Sequence, residues 1–151
     1  LEITENSLMA DLQGVMPTLH RLNEIGVEIS IDDFGTGYSS LAYLTSLPIS
    51  ELKIDRSFVR DLGETPQSSA IVSAIIALAR ALGLRVIAEG VETTEQMNVL
   101  YSLGCHICQG FLFARPMPAA QIATWLNDVL NADGLPRVSE SLTLPPVSTL
   151  S

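Results

Sequence analysis

Two spacings of apolar residues alternate along this chain. Over residues 27–32 the period is two: Val27, Ile29 and Ile31 fall on one side, Glu28, Ser30 and Asp32 on the other. That is the pattern of a strand with one apolar and one polar face. The same alternation predicts strands over residues 1–5, where Glu2 and Thr4 share a face, and over 51–55, where Lys53 and Asp55 oppose Leu52 and Ile54. Residues 85–88 read as a buried strand and 106–109 as a fifth. Between them the period lengthens. Leu8, Leu12, Val15, Leu19, Leu22 and Ile25 predict a helix capped by Asn6 or Ser7 and stopped by Gly26. Pro17 sits awkwardly inside it and marks a possible new start, with 11–16 as a turn. A short helix over 41–46 ends before Pro48, 56–66 reads as a connection, and 67–82 is the strongest helix, closed by Gly83. Thr93 or Thr94 caps a helix to Leu103, stopped by Gly104. A last amphipathic helix, 118–130, carries Trp125 in line with Ile122 and Val129, a face expected in the core.

Five consecutive strand–helix units imply a parallel sheet with right-handed crossovers. Polar residues stand at the exits or last positions of all five strands: Glu2 and Glu5, Asp32 and Asp33, Lys53 and Asp55, Glu89 and Glu92, and Gln109. In an open sheet they would spread along an edge. In a TIM-like (β/α)8 barrel they converge on the carboxyl-end face, where active sites lie. The barrel is therefore the expected architecture, with this chain supplying about five of its units. The first residues read directly as a strand, so the missing units are expected before Leu1, in a longer protein.

Asp32 and Asp33 would repel unless a cation or hydrogen-bond donors sat between them, which marks a candidate divalent-metal site. Gly35 and Gly37 then break the chain into a loop. The plainer reading of the pair is a solvated turn. Among the convergent carboxylates, Glu2, Asp32 and Asp33 are the best-placed metal ligands. Two ions there would clamp a phosphodiester and activate a bridging water. Lys53 would stabilise a phosphoryl oxygen or orient that water, and Glu89 would act as base or hold a metal-bound water. For Lys53 and Asp55 the plainer reading is an internal ion pair.

Composition narrows the picture further. The chain has 151 residues, 47 % of them hydrophobic, which suits one well-buried domain. Its net charge of −9 argues against a DNA or RNA polymer held on a basic surface, though not against a phosphate ligand bridged by metal ions. Cys105 and Cys108 form a lone C-x-x-C, read as small core residues in preference to a metal or redox site. No H-E-x-x-H, G-x-S-x-G or Walker A motif is present. No apolar run is long enough to span a bilayer, and none resembles a signal peptide. Residues 131–151, rich in Ser and Pro, read as a flexible tail.

Five ordered motifs carry a family resemblance: Leu-Glu-Ile-Thr-Glu (1–5), Ile-Asp-Asp-Phe-Gly-Thr-Gly-Tyr-Ser-Ser-Leu (31–41), Leu-Lys-Ile-Asp-Arg-Ser-Phe (52–58), Ile-Ala-Glu-Gly-Val-Glu-Thr (87–93) and Gln-Gly-Phe-Leu-Phe-Ala-Arg-Pro-Met (109–117). Over residues 1–130 the chain resembles the C-terminal portion of the EAL-domain cyclic-di-GMP phosphodiesterases. The resemblance implies a cytoplasmic bacterial signalling enzyme that uses Mg²⁺ or Mn²⁺ to cut cyclic-di-GMP to linear 5'-pGpG. It implies Glu2, Asp32 and Asp33 as metal ligands, and Lys53 and Glu89 as catalytic residues. Asp55, Glu92 and Gln109 would complete the substrate pocket, and Glu5 would anchor the loop after Asp33. A homodimer through the region after that loop, near Tyr38, and upstream sensory or GGDEF-type domains are further expectations. The family's Glu-x-Leu signature, a following Asn and a substrate-contacting Arg are missing from this sequence, so the piece alone is expected to be inactive or poorly folded. The competing reading is a non-catalytic cyclic-di-GMP receptor or protein-interaction module on the same fold.

Overall fold

The structure, a computed structural model, describes residues 1–36 and 41–131. Tyr38 and its expected dimer contact, and the tail from residue 132, lie outside the described residues. The elements run β1 (Glu2–Thr4), α1 (Glu5–Ala10), α2 (Leu12–Glu24), β2 (Ser30–Phe34), α3 (Leu41–Leu44), β3 (Glu51–Ile54), α4 (Arg56–Arg60), α5 (Pro66–Ala81), β4 (Arg85–Ala88), α6 (Thr94–Leu103), β5 (Ile107–Cys108) and α7 (Ala119–Asn131). The strands form one parallel sheet in the order β1-β2-β3-β4-β5. Each strand neighbours its successor, so the sheet has no switch point of the doubly wound kind. It is a stretch of barrel wall.

Register sorts the side chains into two faces. Glu2, Ser30, Glu51 and Arg85 lie abreast, and so do Lys53, Ile87 and Ile107 two residues on. These make the open face. Ile31 and Leu52 lie abreast on the opposite face, as do Phe34, Ile54 and Ala88, and all five are buried under the helices. Val59, Val72, Ile76, Ala79, Met97 and Leu100 from α4, α5 and α6 complete that core.

Several boundaries differ from those expected. Thr4, not Asn6 or Ser7, caps the first helix, its hydroxyl accepting the Ser7 N–H at 3.3 Å. The break falls at Asp11, whose carboxylate accepts the Gly14 N–H and starts α2, while Pro17 stays inside α2. Proline there forfeits one helical bond, to the Gln13 carbonyl, and the apolar face survives. The supposed connection after β3 contains α4, capped by Asp55. The expected buried strand at 85–88 is only partly so: Arg85 is exposed and Val86 and Ile87 are half-buried, with Arg85 and Ile87 on the open face. On α7, Trp125 is half-buried, and Ile122 and Leu126 are 47 % and 45 % exposed, so its apolar face is not the core element expected.

The largest departure is in β2. The strand does not end at the Asp pair but runs through Phe34. Ile31 pairs with Leu52 and Phe34 with Ile54, so Asp32 and Asp33 together oppose the single residue Lys53. This is a β-bulge, and Asp33 takes the left-handed conformation at φ 54° that Asp tolerates better than most residues. The extra residue keeps Phe34 on the same buried face as Ile31.

Candidate active site at the strand ends

Lys53 is the centre of the open face. Its side chain is only 6 % exposed, and its ammonium nitrogen lies 2.6 Å from Glu89 Oε1, 2.9 Å from Glu2 Oε1 and 3.3 Å from Asp32 Oδ1. Glu2 from the start of β1 (not its exit, as the sequence suggested), Asp32 from within β2 and Glu89 from just past β4 thus deliver carboxylates to one cation. Burial alone would lower the lysine's pKa, but the bonds to Glu89 and Glu2 and the charge of Asp32 outweigh it and drive it well above its usual value. Glu2 remains 59 % exposed, whereas Asp32 and Glu89 are largely covered.

Asp33 follows Asp32 and lies near both Lys53 and Asp55. Burial and the neighbouring charges of Asp32 and Asp55, together with a hydrogen bond to Asp55, raise its pKa. Asp55 moves the other way. Burial would raise it, but the Ser57 hydroxyl and backbone N–H both donate to its carboxylate and lower it. The two carboxyls are thus pushed in opposite directions, Asp33 upwards and Asp55 downwards. Asp55 serves two purposes, as cap of α4 and as the acidic neighbour of Asp33.

A cavity of about 1040 Å³ opens beside these groups, lined by Asp33, Asp55, Glu89, Glu92 and Gln109, and also by Arg56, Ser57, Arg60, Gln96 and Phe111. Glu92 and Gln109 are exposed on its wall. Two glycines allow its shape: a Cβ on Gly90 (φ 70°) would overlap Arg56, and one on Gly110 would overlap the main chain of Val91. Glu5 lies apart, 1 % exposed, its Oε2 accepting the Gly35 N–H at 2.7 Å just past the bulge. Of the residues singled out from sequence, Glu2, Asp32, Lys53 and Glu89 are brought together. Asp33, Asp55, Glu92 and Gln109 line the adjoining cavity. Among the described residues, no group of three or more His, Cys, Asp or Glu side chains stands arranged to hold a metal ion.

Gln96 was not anticipated. Its Oε1 accepts the N–H groups of Glu92 and Thr93, and its Nε2 donates to the Arg60 carbonyl at 3.1 Å. It thereby ties the exit of β4 to α4 across the cavity wall. The signal was legible as a capping box, Thr93 followed three residues later by Gln96.

A parallel strand–helix sheet with acidic residues and one buried lysine gathered on its open face defines a barrel-type α/β protein. The EAL domain family model matches residues 1–116, and the chain belongs to that family; its five units are part of a TIM-like barrel. It is 56 % identical over 122 residues to the bifunctional diguanylate cyclase/cyclic di-GMP phosphodiesterase MucR of Pseudomonas aeruginosa, covering 81 % of this chain and 18 % of that protein. The solved PaMucR phosphodiesterase in complex with c-di-GMP superposes with a TM-score of 0.78, covering 81 % of this chain and 49 % of that one. Klebsiella pneumoniae BlrP1, in a complex with manganese and the same dinucleotide, is 39 % identical with a TM-score of 0.72, covering 76 % of this chain and 29 % of that one. The chain spans 16 % to 22 % of the length of curated phosphodiesterases that it matches. Among the described residues no helix is long and apolar enough to cross a membrane.

Proposed function

We propose that the domain to which this chain belongs is a cytoplasmic, metal-dependent phosphodiesterase that hydrolyses cyclic-di-GMP to linear 5'-pGpG. The observation that carries this reading is the convergence of Glu2, Asp32 and Glu89 on one buried ammonium beside a dinucleotide-sized cavity. An oxygen-only, anionic set of donors that already surrounds one cation suits Mg²⁺ or Mn²⁺. Glu2 and Asp32 from that set, with Asp33 next to Asp32, are the residues we assign to hold such ions, which when bound would polarise the phosphodiester and lower the pKa of the attacking water. Lys53 then places its ammonium against the phosphoryl oxygens or the attacking water. Glu89 accepts the water's proton. Asp55, Glu92 and Gln109 line the substrate cavity, and Glu5 fixes the loop after the bulge through Gly35. A homodimer through the region following that loop, and attached sensory or GGDEF-type domains, belong to the same proposal.

A second reading, a receptor that binds the dinucleotide without cutting it, is favoured by one feature: Lys53 itself occupies the centre of the carboxylate cluster. The deciding experiment measures cyclic-di-GMP turnover with Mn²⁺ by chromatography. It compares this chain, a chain extended upstream to complete the barrel, and the Glu89→Ala form of each. Turnover in the extended chain alone, lost on substitution, supports the enzyme and the incompleteness of the piece. Binding without turnover in the extended, folded chain replaces the enzyme with the receptor.

A further inference from the structure

Gln96 lines the cavity yet has no part in the chemistry above, and it is only 8 % exposed. Its amide has one satisfactory orientation, because two N–H groups meet one end and a carbonyl meets the other. Oε1 accepts from Glu92 at 2.8 Å and from Thr93 at 3.1 Å, and Nε2 donates to the Arg60 carbonyl. A capping box needs only the Oε1 half of this arrangement. The Nε2 half reaches out of α6 to the last residue of α4, 36 positions earlier in the chain.

The neighbouring main chain shows what that reach controls. The Glu89 N–H donates to the Ile54 carbonyl at 3.1 Å and that of Val91 to the Gln109 carbonyl at 3.0 Å, so adjoining strand ends hold both. Glu92 has left the sheet, and Gln96 takes its N–H instead. At the other end of α4, Gly90 packs so closely that an added Cβ would lie 2.5 Å from the Arg56 Cβ. The segment 90–96 therefore grips α4 at both ends, through Arg56 and through Arg60. Asp55, the cap of α4, and Glu92 face the same cavity from the two sides of that grip.

We propose that Gln96 is a positioning residue for the cyclic dinucleotide: it sets the spacing of Glu92 from α4, and with it the affinity of the cavity. This rests on the proposed function, which makes the cavity the dinucleotide site. Glu89 is held separately, by the Ile54 carbonyl and by its ion pair with Lys53. Cutting the link to Arg60 therefore weakens binding and spares the chemical step.

The test places Gln96→Glu in the chain extended upstream to complete the barrel. At neutral pH a carboxylate still accepts from Glu92 and Thr93, so the capping box survives, but it cannot donate and it repels the Arg60 carbonyl. One net hydrogen bond corresponds to about a threefold to tenfold change in an equilibrium. The expected result is a KM for cyclic-di-GMP with Mn²⁺ raised by about that factor, kcat within about twofold of native, and a melting temperature within about 3 °C. In a Glu92→Ala background the same substitution should raise KM no further, since the effect runs through Glu92. If Gln96→Glu does not fold, Gln96→Met, which is uncharged and of similar length, is read in the same way. The proposal is overturned if KM stays at the native value, if kcat falls while KM does not move, or if KM rises equally with and without Glu92. An extended native chain that binds without turnover removes the enzyme reading alone, and the dissociation constant then takes the place of KM with the same ratio expected. One that neither binds nor cuts the dinucleotide overturns both.

Discussion

Replacing Lys53 with Met keeps most of the buried stem but removes the cation that the carboxylates of Glu2, Asp32 and Glu89 share. Glu2 can swing into water, so the lasting repulsion falls on the better-covered Asp32 and Glu89. At an effective dielectric of about 20, two unit charges about 5 Å apart repel by about 3 kcal/mol. Breaking a buried ion pair by removing one partner costs a similar amount, so Lys53→Met is expected to lose about 2–4 kcal/mol at neutral pH. Urea unfolding at pH 7 in chelator measures it. Millimolar Mn²⁺ should restore much of the loss, because an ion bound only by the folded state stabilises it. The pH dependence gives an independent check. The folded lysine pKa lies above the ordinary value of about 10.4, so its contribution is complete below that pH and drains away as pH climbs towards the folded value. The gap between native chain and variant should therefore be flat near neutrality and shrink in strong alkali. A variant within about 0.5 kcal/mol of the native chain at pH 7 would refute the reasoning, since surface substitutions do no more.

Glu5→Ala should cost about 1.5–3 kcal/mol, the worth of a hydrogen bond to a charged group, whereas Glu5→Gln retains an acceptor and should cost less; thermal melts and amide exchange at Gly35 would report both. Asp55→Ala removes the α4 cap for about 1 kcal/mol at neutral pH. Because the Asp55 pKa is lowered, that contribution is present above the ordinary Asp value of about 3.9 and fades as pH falls through the folded value, which an acid unfolding series would trace. For Asp33 the sign is opposite: its raised pKa favours folding at low pH and opposes it as pH rises through the folded value. Asp33→Asn, which also suits a left-handed residue, should therefore stabilise the chain at pH 7 and give no gain in acid; unchanged urea midpoints at pH 7 would contradict this. Gly110→Ala drives a methyl into the Val91 main chain and should cost about 1–3 kcal/mol, read by chemical denaturation.

The strand order was legible because three strands carry a period-two signal, the other two fall between helical stretches, and parallel βα units leave few ways to connect them. Glu2, Lys53 and Glu89 could be placed at one mouth for the same reason: alternation fixes which face each residue takes. What sequence could not give was phase. A bulge adds a residue without changing composition, so 27–34 looked like a strand ending at two aspartates when it was one strand carrying an extra residue. Asp55 was similarly misread as a strand residue, because its capping of α4 depends on the following turn, which has no apolar stripe long enough to announce a helix. The α7 face read as core since amphipathicity shows that a face prefers cover and is silent on what covers it.

The bulge also decides how this gene can vary. A codon lost at Asp33 would remove one carboxylate, straighten β2 and leave Phe34 facing the helices, because Asp32 alone would then oppose Lys53. A three-base deletion at this position therefore removes one of the acidic residues while preserving the face on which Phe34 packs, with no substitution elsewhere.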